Sequence, residues 1–164
     1  MNKKELRSFA LSLRKTLTLN KDDLENKVLE CIKDNKNVAI YYPMKYEIDL
    51  LFLRKQNLNL LFPKVEGDNL IFYKGATKFV KSKFGVFEPS DGVAIDSHLI
   101  DLMFVPCLVI NKDKYRIGYG MGYYDRYMKG HKYKTVGICY RELYKDFDED
   151  IFDERLDEII VCKP

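Results

Sequence analysis

The chain predicts a three-layer α/β/α domain with a largely parallel, Rossmann-like sheet, and three observations carry that expectation. Short apolar runs, among them Val38-Ala39-Ile40-Tyr41-Tyr42 and Leu102-Met103-Phe104-Val105, read as buried strands. Stretches with apolar residues at helical spacing alternate with them, and that alternation is the mark of a parallel sheet. A length of 164 residues, 46% hydrophobic and 32% charged, suits one globular domain over 1 to 164 with no need of a second.

Taken in order, Leu6, Phe9, Ala10, Leu13 and Leu17 recur at helical spacing, predicting a helix over residues 3 to 17. A second helix starts after Asn20, with Asp22 and Asp23 in its first turn and Leu24, Val28 and Ile32 as its stripe; Asn35-Lys36-Asn37 ends it. The strand at 38 to 42 stops at Pro43, and residues 48 to 56 read as a helix leading to a strand at 58 to 62. Further strands are expected at 70 to 73, entered from the turn Gly67-Asp68-Asn69, at 102 to 105 before Pro106, at 135 to 139 and at 158 to 161. In such folds ligands sit at the carboxyl ends of the strands. Residues 42 to 47, Pro63-Lys64 and 116 to 125 all follow predicted strands and so could share one cleft.

The most informative stretch is Arg116-Ile117-Gly118-Tyr119-Gly120-Met121-Gly122-Tyr123-Tyr124-Asp125-Arg126, three alternating glycines between a cation and a carboxylate. Glycine admits positive φ and close approach of a ligand to the main chain, so exposed N–H groups can converge on phosphate oxygens. Arg can hold those oxygens in a fork, and Asp can hold Mg²⁺. The residues after the loop have helical composition, so a helix N-terminus is expected beside the anion. The spacing excludes a dinucleotide fingerprint, because Tyr123 stands where G-x-G-x-x-G needs its last glycine. It also fails the aromatic pattern of RNA-recognition sheets at Ile117 and Met121.

Composition narrows the partners. A net charge of +3 from 28 basic and 25 acidic residues gives no argument for nucleic acid, while small anions stay open. Cys31, Cys107, Cys139 and Cys162 form no C-x-x-C pair and read as inert core thiols in a reducing, cytoplasmic setting. No apolar run approaches a membrane span and no signal-peptide pattern begins the chain, so a soluble protein with no membrane partner is expected.

Over nearly its whole length the sequence resembles the 5-formyltetrahydrofolate cyclo-ligases, also called methenyltetrahydrofolate synthetases. The matching segments are Lys3-Lys4-Glu5-Leu6-Arg7, Tyr42-Pro43-Met44-Lys45-Tyr46-Glu47, Phe62-Pro63-Lys64-Val65, Phe84-Gly85-Val86-Phe87-Glu88-Pro89 and, most specifically, 116 to 126. The resemblance implies ATP- and Mg²⁺-dependent cyclisation of 5-formyltetrahydrofolate, with or without a polyglutamate tail, to 5,10-methenyltetrahydrofolate, ADP and phosphate, by a monomer. It implies ATP contacts from Lys3, Lys4, Glu5, Leu6 and Arg7 and from Arg116, Ile117, Gly118, Tyr119, Gly120, Met121, Gly122, Tyr123 and Tyr124. Folate contacts are implied for Tyr42, Glu47 and the loop from Tyr119 to Tyr123, and metal binding for Asp125 and Asp153. Arg116 is expected to act on the phosphates and Lys64 on developing negative charge. Met121 replaces the Lys or Gly of many relatives, and Lys64 replaces an Arg, keeping charge but losing the fork.

From residue pattern alone, plainer readings stand beside these. Lys3, Lys4 and Arg7 fit a solvated helix face, Glu47 a first-turn carboxylate, and Asp153 a solvated acidic loop, while Tyr42, Tyr123 and Tyr124 fit core aromatics with a polar tip. A folate- or nucleotide-binding protein without turnover is the main functional rival.

Overall fold

The computed structural model describes all 164 residues. Helix α1 (Lys3–Leu13) starts where the Asn2 side chain accepts the Glu5 N–H, and it tightens into a 3-10 turn at Arg14–Thr16. Helix α2 (Lys21–Ile32) is capped in the same way by Asn20, which accepts from Asp23, and buries Leu24, Val28 and Ile32 at a four-residue repeat.

Strands β1 (Asn37–Ala39), β2 (Asn59–Glu66), β3 (Asn69–Lys74), β4 (Phe79–Lys81), β5 (Phe87–Pro89) and β6 (Val93–Ile95) follow. Then come β7 (Leu102–Val105), β8 (Val109–Ile110), β9 (Arg116–Ile117), helix α3 (Tyr123–Met128), β10 (Lys134–Tyr140) and β11 (Glu158–Cys162). The main sheet has the order β11-β10-β7-β1-β2-β3-β6. Its first five members in that order are parallel, and β3 and β6 continue it antiparallel. Two small hairpins, β4–β5 and β8–β9, lie outside it.

Alternating side chains of the parallel strands divide the core. Val38, Leu102, Phe104, Val136, Ile138 and Ile160 pack with the α2 stripe on one face, whereas Ala39, Leu61, Met103, Val105 and Cys139 pack with Met128 of α3 on the other. Gly137 is required in β10 because a Cβ there would stand 2.4 Å from Leu156 Cδ1 and 3.0 Å from Cys107 Sγ. No helix is long and apolar enough to cross a membrane.

Three expectations change in detail, the first being that the strand expected over 38 to 42 ends at Ala39. The helix expected over 48 to 56 is a 3-10 turn at Leu51–Lys55, entered where Asp49 Oδ1 accepts the Leu51 N–H at 2.7 Å. That Asx turn spends the first residues on a bend, and Gln56 returns to extended backbone before another turn can form. Helix α1 stops short of residue 17 and packs away from the main sheet: Leu6 and Ala10 meet Leu108, Val109 and Ile117 of the β8–β9 hairpin. That hairpin leads straight into the glycine loop, so α1 and the loop are assembled together.

Candidate active site

The sheet reverses direction of growth at β1, with β2 on one side and β7 on the other. At such a switch point the loops leave in opposite directions and open a crevice beyond the strand ends. A cavity of about 960 Å³ occupies this place, lined by Tyr41 and Tyr42 beyond β1, Pro106 beyond β7, and the whole segment 116 to 126.

Part of the cavity lining is cationic and glycine-rich. Gly120 has φ +95° and Gly122 φ +71°, values that only glycine adopts readily, while Gly118 is demanded by space: its Cβ would lie 2.4 Å from Arg116 Nη1. Arg7 reaches in from α1 and donates from Nε to the Gly118 carbonyl at 2.8 Å. Arg116 is not an exposed loop cation; it is 6% exposed, donating from Nη1 to the Pro106 carbonyl at 3.1 Å, with Nη2 at 3.8 Å from Asp125 and the guanidinium 5.4 Å from the Tyr124 ring centroid. Its Nε–H is buried without a partner. Arg126, given no role by the sequence pattern, donates to the Met121 and Asp68 carbonyls and ties the loop to the β2–β3 turn.

Acidic groups stand beside these cations. Lys3 bonds Asp153 and, at 2.9 Å, Asp150, both on the 146 to 154 segment. Burial alone would lower the Lys3 pKa, but the two carboxylates hold it above its ordinary value. Asp125 Oδ1 accepts the Glu154 N–H at 3.2 Å, joining α3 to the same segment. No group of three or more His, Cys, Asp or Glu is gathered closely enough to hold a metal alone. Mg²⁺ bound with a nucleotide takes one or two carboxylates and completes its octahedron from water and phosphate oxygens. Asp125 and Asp153, both lining the cavity, fit that pattern.

Another part of the lining is aromatic. Tyr42 packs 5.3 Å from Phe87 and 4.9 Å from Phe79 between centroids, and Phe84 and Phe87 line the wall. Glu47 enters from the irregular segment after Pro43. Its Oε1 accepts the Met44 N–H at 2.6 Å and its Oε2 accepts the Tyr119 hydroxyl at 3.1 Å. Burial raises its pKa above the ordinary carboxylate value, against the opposing Met44 and Tyr119 hydrogen bonds and the Arg14 charge. Burial likewise pushes the Tyr119 and Tyr124 hydroxyls up and the Cys107 thiol to about 12, so these stay neutral.

Most sequence-predicted site residues therefore meet in one place: Lys3, Arg7, Tyr42, Glu47, the loop from Arg116 to Tyr124, Asp125 and Asp153. Four do not line the cavity. Lys4 and Glu5 are exposed on α1, and Leu6 is buried against the β8–β9 hairpin. Lys64 lies between Pro63 and Val65, which face the cavity; strand alternation turns it to the other face, where its ammonium stands 5.9 Å from the Tyr73 ring centroid.

Comparison with known proteins agrees with this geometry. The family model described as the 5-formyltetrahydrofolate cyclo-ligase family matches residues 2–162. A protein of that name from Mycoplasma genitalium is 32% identical, with 99% of this chain and 98% of the relative covered. Its namesake from Mycoplasma pneumoniae is also 32% identical, with 98% of each covered. The solved 5,10-methenyltetrahydrofolate synthetase of Mycoplasma pneumoniae superposes with a TM-score of 0.78 at 29% identity, over 98% of both chains. That of Aquifex aeolicus gives 0.80 at 31% identity, over 98% of this chain and 90% of the other. With the glycine loop, the cationic helix and the aromatic wall converging on a cavity at the sheet's switch point, this chain belongs to the 5-formyltetrahydrofolate cyclo-ligase family of enzymes.

Proposed function

We propose that the cavity binds ATP at its glycine-rich end and 5-formyltetrahydrofolate at its aromatic end, and joins them by phosphoryl transfer. The observation that carries this reading is one continuous space of about 960 Å³ lined both by the glycine loop with Lys3, Arg7 and Arg116 and by Tyr42, Phe84, Phe87 and the half-buried Glu47. A formamide oxygen is a poor leaving group. Its attack on the γ-phosphate breaks the bond to ADP and gives a phosphorylated imidate; N10 then bonds to the formyl carbon, and phosphate leaves with the C–O electron pair. Catalysis of such transfers rests on positioning and charge stabilisation.

In this reading the Gly118, Gly120 and Gly122 backbone cradles the phosphates, with Arg116, Arg7 and Lys3 supplying positive charge around them. Asp125 and Asp153 would hold Mg²⁺, which supplies charge neutralisation at the transferring phosphoryl group. Tyr42, Phe84 and Phe87 offer ring faces to the folate. The test mixes protein, MgATP and 5-formyltetrahydrofolate and follows the ultraviolet absorption of the methenyl product together with ADP. Equal amounts of both are expected, and omission of any component should stop both. Product formed without ATP would overturn the reading.

Asp125→Asn is expected to shift the magnesium dependence of activity to higher concentration, with partial recovery at saturating Mg²⁺. The amide can still accept the Glu154 N–H while losing the negative charge that a hard cation prefers. An unaltered magnesium curve with a lowered melting temperature would instead assign Asp125 to tying α3 to the acidic segment.

A further inference from the structure

A chain of three side chains enters the cavity from outside it. Arg14, in the turn after α1, donates from Nη1 to the Tyr119 hydroxyl at 2.7 Å, and that hydroxyl donates to Glu47 at 3.1 Å. Arg14 does not line the main cavity. It lines instead a separate space of about 10 Å³ behind Glu47, shared with Tyr41, Tyr46, Cys107 and Tyr140, which is room for one water molecule. Its Nε–H is buried there without a partner. Glu47 is thus held on one oxygen by backbone and on the other by a hydroxyl that Arg14 orients.

Ring closure makes a demand that phosphate binding does not meet. As N10 bonds to the formyl carbon, the N10–H bond must break, and its proton needs an acceptor inside the cavity while phosphate departs with the C–O electron pair. Asp150 and Asp153 are engaged by Lys3, and Asp125 faces Arg116. Glu88, whose Oε2 accepts the Val65 N–H at 2.8 Å, and Glu154 also line the cavity; Glu47, which has no direct ion pair, is the carboxylate that a hydroxyl of the glycine loop holds. We propose that Glu47 accepts the N10 proton, and that Arg14 is the positioning residue that holds it for this task through the Tyr119 hydroxyl. The inference rests on the folate cyclisation put forward above.

The groups facing Glu47 are Arg14 from the turn after α1, Tyr41 beyond β1, Cys107 beyond β7, Tyr119 in the loop and Tyr124 on α3. The four hydroxyl and thiol groups stay neutral near pH 7, so Arg14 is the one charge acting on Glu47. Its sign lowers the Glu47 pKa, partly offsetting burial.

The test is kcat, read as methenyl product formed at saturating substrates across pH, with KM for folate and melting temperature measured alongside. Glu47→Gln should lower kcat by roughly 10²–10⁴, the usual worth of a general base, with little change in folate KM and loss of the acidic limb. Arg14→Gln should move that limb to higher pH, because the positive charge that lowers the Glu47 pKa is gone. Arg14→Lys, which keeps the charge, should return the limb toward wild type. A raised folate KM with unchanged kcat in Glu47→Gln would make Glu47 a ligand contact only. An unmoved limb in Arg14→Gln would make Arg14 a structural tie; either result overturns the proposal. An active wild type with such variants sinks this inference alone, whereas a wild type that forms no methenyl product sinks the cyclisation reading as well.

Discussion

Arg116→Ala is expected to remove nearly all turnover and to lower the melting temperature in the same variant. An exposed phosphate-binding arginine would lose affinity and keep its stability. Arg116 instead lies beneath the loop, bonded to the Pro106 carbonyl, facing Asp125 and stacked near Tyr124. Truncation leaves a buried carbonyl and a carboxylate without their cation, and hydrogen bonds to charged groups are worth roughly 1.5–3 kcal/mol each. At roughly 2–4 °C per kcal/mol for a chain of this size, a drop of several degrees follows. Loss of the same guanidinium from the phosphate end should weaken binding of a non-hydrolysable ATP analogue roughly tenfold to a hundredfold. Thermal melts and calorimetric titration read the two effects separately. Wild-type affinity with a lowered melting temperature would leave Arg116 only its structural task.

Gly118→Ala is expected to be more damaging than Gly120→Ala, although Gly120 has the rarer backbone conformation. The added methyl at 118 would stand 2.4 Å from Arg116 Nη1, and that guanidinium is pinned by Pro106 and cannot swing aside. At 120 the neighbour is Arg7 Cζ at 3.4 Å, on a half-buried side chain that can give way, so the main cost is left-handed strain of roughly 1–2 kcal/mol. If the guanidinium acts on the phosphates as proposed, displacing it by an ångström can cost on the order of 10²-fold in rate, so kcat/KM for ATP should fall by about that factor in Gly118→Ala. In an Arg116→Ala background the same methyl meets empty space and its effect should largely vanish, which a double-mutant cycle measures. A Gly118→Ala enzyme with wild-type kinetics would show that the guanidinium position does not matter.

Local signals in the chain were enough for much of this. The helix start at Asn20, the apolar runs of β1, β7 and β10, and the alternating glycines are encoded within a few residues of where they act, so periodicity and composition reveal them. The family resemblance then named residues that the structure gathers at the switch point. Short-range pattern failed where a bend consumed the helix expected at 48 to 56, and where the sparse β4–β5 hairpin offered too few residues to show a period.

What only the tertiary structure decided is which side chains face one another. Lys3 meets Asp153 across 150 positions, Arg14 meets Tyr119 across 105, and Tyr119 meets Glu47 across 72, and no local rule encodes such pairs. The first two exist because Leu6 and Ala10 seat α1 against the β8–β9 hairpin, which carries the cations of α1 and its following turn to the loop. The same packing buries Arg116 and lets strand alternation turn Lys64 away. The sequence by itself determined the fold class, the loop and the chemistry of its residues. Their partners, burial and direction came from packing, because burial of apolar faces is non-directional and acts over the whole chain.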